Sequence, residues 1–393
     1  MTGMPRVRVL LDPIARVLRA SPLASRWWAR YRTWRLEADA RRIMARGNGQ
    51  AGTLPDGVVY ESTMRCNLRC EFCYVGSLLN IEGEWRQELP LDMLERAFPD
   101  RGGLQISLTG GEIFVRKDII STLELFRAKG YVCGYLTTNG TAITEERAEA
   151  LARLAAQGFL KHISVSIDGP AAVHDSARGA KGTFERTAQG LRRLQDAAQR
   201  TGAPLRVSIN TTVASESIDT LDQMAEVAGS LGVDAIGLNH LMYSSPDEVN
   251  DTLRFVGSTN PGVIATFVTS NPGVTPEQVR TRVRALQEQC RRRGIKFDVR
   301  PKVWPETTDA YYTAGSPLEG RCLYPFRHAR VGYSGKVYFC PFIRIEVGDL
   351  TTQTLAAAWN SDRYVQLRRT LLDHKLFPVC RRCCKVELAR PAK

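Results

Sequence analysis

From residue 58 to residue 240 one pattern recurs six times, a short β-rich run followed by a segment with helical periodicity. The runs are VVYEST (58–63), LQISLT (104–109), VCGYLTT (132–138), HISVSID (162–168), RVSINTT (206–212) and DAIGLNH (234–240). Helix-like stretches such as 116–129, 144–157, 183–199 and 217–231 lie between them. Near-continuous apolar strands alternating with helices call for a parallel sheet, either doubly wound or curled into a barrel. The residues that follow the runs decide between the two. Cysteines come after the first, Gly-Gly-Glu after the second, Asn-Gly after the third and Asp-Gly-Pro after the fourth, and the fifth ends in Asn-Thr-Thr. A doubly wound sheet gathers its chemistry at one switch point, whereas a barrel presents it at the C-terminal ends of many strands. The expected fold is α/β, a partial (β/α)6 TIM-type barrel.

The first strand end is the least ordinary. CNLRCEFC (66–73) places Cys66, Cys70 and Cys73 on one short loop, and the next cysteine, Cys133, lies inside a strand. A structural zinc site wants four ligands, and cysteine thiolates normally hold every iron of a cubane. Three thiolates leave one iron of a [4Fe–4S] cluster open to a group that is not protein. Ten cysteines in a chain with no expected export signal argue for metal or cluster ligands rather than disulfides. Five of them fall between Cys322 and Cys384, while Cys133 and Cys290 sit alone and read as packing residues.

Taken together, CNLRCEFC, LTGGE, TTNG and SVSIDGP resemble the radical S-adenosylmethionine (radical SAM) superfamily over roughly residues 57 to 300. The resemblance implies that the open iron is chelated by the amino and carboxylate groups of SAM's methionine part. It further implies that an electron from the cluster releases a 5′-deoxyadenosyl radical, which takes hydrogen from a substrate. A cofactor-binding set comes with it. Phe72 precedes the last cysteine of the loop, Gly110 and Gly111 let the backbone approach the methionine amino group, and Glu112 compensates its charge. Thr138, Asn139, Ser166 and Arg178 match positions that hold SAM's carboxylate or ribose, with Asn210 as a further candidate. Ile113 stands where the family usually has proline. The electron would come from a flavodoxin- or ferredoxin-type reductant.

Further on, Cys322, Gly335 and Cys340 precede GDL (348–350), WNS (359–361) and VCRRCC (379–384). This resembles the SPASM/twitch extension of radical SAM enzymes, a small C-terminal cysteine-rich domain over 318–393. With five cysteines, fewer than the full SPASM module carries, the shorter twitch form with one auxiliary [4Fe–4S] cluster is expected. Cys322, Cys340, Cys380 and Cys383 would hold it. A zinc site on the same ligands is the rival, and Cys384 competes with Cys383 for the last place.

Residues 1–56 read as an N-terminal amphipathic helical arm and linker. Residues 1–46 carry eleven Arg against Asp12, Glu37 and Asp39, which is +8 of the chain's +13. Asp12-Pro13 and Ser21-Pro22 look like helix starts, and Leu23, Trp27, Tyr31 and Trp34 share a face of the second helix. Two readings stand side by side: an arm lying on an anionic membrane surface at its inner face, and an arm packed across the barrel. The remaining residues carry only +5, so charge gives little support to a nucleic-acid partner. No apolar run approaches the length of a membrane span, and the chain reads as cytoplasmic.

The barrel is expected over 57–303. Residues 241–275, where STNPGV returns as TSNPGV, read as a hairpin-like excursion at its mouth. Strand counting puts His240, Tyr243 and Asp298 there as acid–base candidates. Because four thiolates leave the tail cluster no open iron, the expected reaction is a net oxidation of a small or lipid-linked substrate, with the auxiliary cluster as electron acceptor. The alternatives are peptide maturation by crosslinking and a redox-neutral rearrangement. Residues 1–56 are too short and too helical for the peptide-recognition domain that many maturation enzymes carry.

Overall fold

The computed structural model describes residues 22–100 and 104–390, with side chains at its N-terminal end given for Tyr31 and from Trp34 onward. Six strands, β1 (Gly57–Thr63), β2 (Gln105–Gly110), β3 (Val132–Thr138), β4 (His162–Ser166), β5 (Arg206–Thr212) and β6 (Ala235–Asn239), pair in parallel in chain order. Two short strands, β7 (Tyr243–Ser244) and β8 (Phe267–Val268), pair with each other beyond β6. Next in the chain, β9 (Lys296–Arg300) joins β6 in parallel and extends the barrel. The tail holds β10 (Gly320–Cys322), β11 (His328–Val331), β12 (Lys336–Tyr338), β13 (Glu346–Asp349) and β14 (Val386–Leu388).

Along each barrel strand, side chains alternate between two faces. One face is apolar and carries the core. Val58, Tyr60, Ile106, Leu108, Leu136, Ile163, Val165 and Ile209 are buried there. The Tyr60 ring meets Phe98 and Phe126 edge to face, Phe126 coming from the helix Ile119–Ala128. The other face turns into the lumen and is polar: Glu61 and Thr63, Ser107 and Thr109, Tyr135, His162 and Ser164, Arg206 and Ser208, Asp298 and Arg300. Near-continuous apolar strands were the expectation, and alternation is what forms. The reason is that one face of each strand packs into the core while the other does not.

One further expectation is revised. The segment 241–275 makes no hairpin; β7 and β8 run parallel, separated by the helix Pro246–Val256. Ser245 and Glu248 close a capping box at that helix's start, with Pro at its first turn. The first Asn-Pro-Gly turn brings Ile264 into an antiparallel bridge with Ile343. The excursion thereby docks the tail. The tail in turn is built into the barrel's own sheet: β11 pairs in parallel with β1, Gly57 opposite His328, and β12 and β13 follow antiparallel. The ten-stranded order is β13-β12-β11-β1-β2-β3-β4-β5-β6-β9.

The arm contributes one helix, Pro22–Ala45. Its second half lies on the short helix Tyr324–Arg327, with Ala40 buried and Glu37 between Arg41 at 3.3 Å and Arg327 at 3.8 Å. Tyr31 and Trp34 remain exposed, their ring centroids 6.1 Å apart. Along the whole helix the apolar residues are spread around the axis and form no stripe. The expected helix start at Asp12, and the side chains of Leu23 and Trp27, lie outside the described residues.

Candidate active site

The loop with Cys66, Cys70 and Cys73 leaves the C-terminal end of β1 and is stitched to the ends of β2 and β3. Gly111 N–H donates to Thr63 O at 2.9 Å and Glu112 N–H to Arg65 O at 2.8 Å. Glycine is required here by contact. Gly110 has φ +140°, and a Cβ on it would sit 2.1 Å from Thr63 O; one on Gly111 would sit 2.2 Å from Arg65 O. The pair that was expected to admit a methionine backbone also lets β2 lie against the cysteine loop. Asn80, at φ 58°, accepts from Cys66 N–H through its side chain at 3.0 Å.

Glu112 is 1% exposed, and its carboxylate accepts from Thr138 Oγ1 at 2.7 Å, Asn139 N–H at 2.6 Å and Phe114 N–H at 3.1 Å. Burial raises its pKa, and these donors only partly offset it. Glu112 thus locks the β2 end to the β3 end. Asn139 completes the stitching: its Nδ2 donates to Asn67 Oδ1 at 2.9 Å, and Asn67 donates to Thr141 Oγ1 at 2.9 Å.

Arg178 approaches the loop from the end of the helix Ala171–Ala177. Its guanidinium lies 3.5 Å from Cys70 Sγ, 2.5 Å from Asp168 Oδ2 and 5.6 Å from the centre of the Phe72 ring. Its Nε is buried with no partner. A cation beside the cysteine loop with a spare buried donor fits an anionic group bound there. Burial pushes the Cys66 thiol up to about 11 and Cys73 upward too, so both wait for a metal to become thiolates. Ser166, nearly buried, stands opposite Asn210, whose Oδ1 accepts from Asn239 Nδ2 at 2.7 Å.

In the tail, Cys322, Cys340, Cys380 and Cys383 line one small cavity, together with Tyr324, Phe342 and Lys385. Cys384 is not part of that lining. Among the described residues no three His, Cys, Asp or Glu side chains converge on a single metal ion. Ile343 N–H points at Cys340 Sγ at 3.2 Å and Lys385 N–H at Cys383 Sγ at 3.4 Å, the kind of donor that tunes an iron–sulfur cluster.

Between the two cysteine sites lies a buried charge cluster. Glu61 on β1 is fully buried and holds Arg330 at 2.6 Å and Arg344 at 2.7 Å. Burial works to raise its pKa, yet the two guanidinium groups outweigh that and hold it down at about 2.

Family models match at both places: the "Radical SAM superfamily" over residues 60–228 and the "Iron-sulfur cluster-binding domain" SPASM over residues 322–384. The chain carries a radical SAM domain followed by a SPASM iron–sulfur domain. It binds SAM with a [4Fe–4S] cluster in its core and carries an auxiliary iron–sulfur domain. Among curated relatives, the pre-heme d1 synthase of Dinoroseobacter shibae is 29% identical over 51% of this chain and 46% of its own length. The match therefore spans about half of that relative. The AdoMet-dependent heme synthase of Methanosarcina barkeri is 26% identical over 80% of this chain and 85% of its own. Streptococcus suis SuiB bound to S-adenosylmethionine shares the fold, with TM-score 0.56 at 17% identity over 80% of this chain and 68% of that one.

Within this radical SAM chain the acid–base candidates do not meet. His240 is buried away from any open mouth, with Nδ1 2.7 Å from Tyr312 Oη, and burial pushes its pKa down to about 3. Tyr243 is buried too and donates to Tyr311 O at 2.8 Å. Both belong to the packed seam between barrel and tail. Asp298 is exposed in the lumen and paired with Arg300 at 2.8 Å. Residues not singled out in the sequence matter as much: Asn67, Asn80, Glu61, Arg330, Arg344 and Lys385. Asn67 falls inside the cysteine motif, the one local signal that pointed to any of them. Asn80 meets Cys66 from fourteen residues on, and Glu61 meets Arg330 and Arg344 from more than 260 residues away.

Proposed function

We propose that this protein oxidises a small substrate held in the barrel lumen, the substrate giving up a hydrogen atom and then an electron. Bound at the two sites, SAM with the first cluster supplies the 5′-deoxyadenosyl radical and the auxiliary cluster supplies the electron acceptor. Cys66, Cys70 and Cys73 are the ligands of the first cluster in this reading, and Cys322, Cys340, Cys380 and Cys383 those of the second. Phe72, Gly110, Gly111, Glu112, Thr138, Asn139, Ser166, Arg178 and Asn210 shape the SAM pocket, mostly by fixing the strand ends that form it. The observation that carries the reading is the second cysteine site, which lines its cavity with four thiols and so needs no substrate ligand, in a chain whose barrel strands turn a polar face inward.

Relatives named for heme and pre-heme d1 synthesis favour a tetrapyrrole among small substrates. The exposed Tyr31 and Trp34 on an arginine-rich arm support a peripheral contact with an anionic membrane. Anaerobically reconstituted protein, offered deuterated porphyrins bearing carboxylate side chains, tests the oxidation. Deuterium should appear in 5′-deoxyadenosine, and a two-electron-oxidised product should accompany it. Transfer with a product at the oxidation level of the substrate would replace this reading with a redox-neutral one.

A further inference from the structure

One buried hydroxyl in the tail has no protein group to bond. Tyr324 opens the short helix Tyr324–Arg327, two residues after Cys322, and is 5% exposed. Its Oη is buried with no hydrogen-bond partner. Every other tyrosine buried among the described residues has one. Tyr60 Oη accepts from Arg116 at 3.1 Å, Tyr243 donates to Tyr311 O at 2.8 Å and Tyr364 to Phe339 O at 3.2 Å. Tyr131, Tyr311, Tyr312 and Tyr333 are served in the same way. A buried phenol left unpaired is costly, and a phenylalanine would pack there without that cost. Phe326 does so two places on in the same helix. The hydroxyl of Tyr324 therefore calls for a partner that the polypeptide does not supply.

Its surroundings narrow the choice. Tyr324 lines the same cavity as Cys322, Cys340, Cys380 and Cys383, and the rest of that lining is Pro341, Phe342, Lys385 and Val386. A lysine side chain accepts no hydrogen bond and the other three are apolar, so the side-chain acceptors around this cavity are sulfur. Two of the four sulfurs already take backbone donors, from Ile343 at Cys340 and from Lys385 at Cys383. Both sides of the cavity wall are anchored. Cys322 pairs with Val386 across β10 and β14, and the Tyr324 ring lies 5.4 Å from that of His328, which opens β11 beside β1. A phenol keeps its proton at neutral pH and can donate it. Negative charge on sulfur grows when an iron–sulfur cluster takes an electron. A hydrogen-bond donor held there favours the reduced form and raises the potential.

We propose that the Tyr324 hydroxyl donates a hydrogen bond to a sulfur of the auxiliary cluster and raises the reduction potential of that cluster. The use of this tuning rests on the reading of the tail cluster as acceptor of the substrate's electron, since a higher potential makes the acceptor more willing. One electron passes from the substrate radical to the cluster, and Tyr324 keeps its proton throughout.

The test is an anaerobic redox titration of the auxiliary cluster, followed by electron paramagnetic resonance. It uses the full-length chain with Cys66, Cys70 and Cys73 replaced by Ala, so that the first cluster adds no signal. Adding Tyr324→Phe should shift the reduction equilibrium about tenfold toward the oxidised cluster, which is about 59 mV for one electron. It should also remove one exchangeable-hydrogen coupling from the spectrum of the reduced cluster. Tyr364→Phe, which takes away a hydroxyl held by Phe339 O, should change neither. Iron content and melting temperature report whether the variants fold. If Tyr324→Phe does not keep its cluster, the chain with Tyr324 intact and its tyrosines labelled with oxygen-17 decides alone, by a coupling from that oxygen to the reduced cluster. An unchanged potential in an iron-replete Tyr324→Phe variant, no oxygen-17 coupling, or zinc in place of iron would overturn the proposal. None of these readouts needs turnover. A lowered potential beside a redox-neutral product from the parent keeps the hydrogen bond and sinks the oxidation. An oxidised product beside a potential that ignores Tyr324→Phe does the reverse.

Discussion

Tyr74 stacks on Phe342, their ring centroids 5.3 Å apart and their planes 18° from parallel. Tyr74 directly follows Cys73, and Phe342 stands two places after Cys340, so one aromatic contact joins the loops of both cysteine sites. Phe342 is 2% exposed and Arg330 Nη2 lies 3.4 Å from Tyr74 Oη. The contact fixes the distance and orientation between the two loops.

Phe342→Ala should cost about 3–5 kcal/mol of stability. It should also raise the ratio of 5′-deoxyadenosine formed to product formed, because the tail loses its bearing on the first site. Phe342→Tyr should leave both nearly as they are. A melting curve and the product ratio check this, and an unchanged ratio in the alanine variant would confine the contact to packing.

Replacing Cys66, Cys70 and Cys73 with Ala should abolish 5′-deoxyadenosine formation and lower the iron content from about eight to about four per chain. Persisting cleavage of SAM in this variant would move the first cluster elsewhere.

Cys383 and Cys384 should part company. Cys383 lines the tail cavity and Cys384 does not, so Cys383→Ala should reduce iron to about four per chain while Cys384→Ala keeps about eight. The opposite pattern would exchange the two ligands. Tightly held zinc in the parent would replace the auxiliary cluster with a structural metal.

Much of this site was legible because radical SAM chemistry writes itself at strand ends. CNLRCEFC, GGE and NG lie where the six-run pattern put them, and β3 and β5 match their runs residue for residue. What escaped is long-range. Glu61 reads as an ordinary polar residue in VVYEST until Arg330 and Arg344 arrive from the tail. His240 and Tyr243 follow β6, but both are buried against Tyr311 and Tyr312, which strand counting cannot see.

Glu61 carries a pH dependence. Its folded pKa of about 2 lies below its ordinary 4.5, so its ion pairs stabilise fully above 4.5 and are lost as pH falls toward 2. The contribution is about 3 kcal/mol. Glu61→Gln should cost about 3–5 kcal/mol near neutrality by leaving two buried arginines unpaired. The gap to the parent should narrow below pH 4.5, read from urea unfolding at a series of pH values. A gap constant with pH would mean that the cluster does not titrate as one unit.

Deleting residues 1–46 should weaken sedimentation with anionic vesicles, since each arginine near such a surface adds about 1 kcal/mol. Equal sedimentation of the shortened protein would leave the helix Pro22–Ala45 as a packing element against Tyr324–Arg327.

The pairing of Gly57 with His328 spans most of the chain. On a ribosome, β1 would gain its β2 neighbour early and keep its other edge bare until the last sixth of the protein had emerged. Such an edge invites pairing with a foreign strand, and so late a contact slows folding. A chain stopped before His328 would be a barrel with an open seam, and expressing residues 57–303 alone should give aggregate in place of a working core.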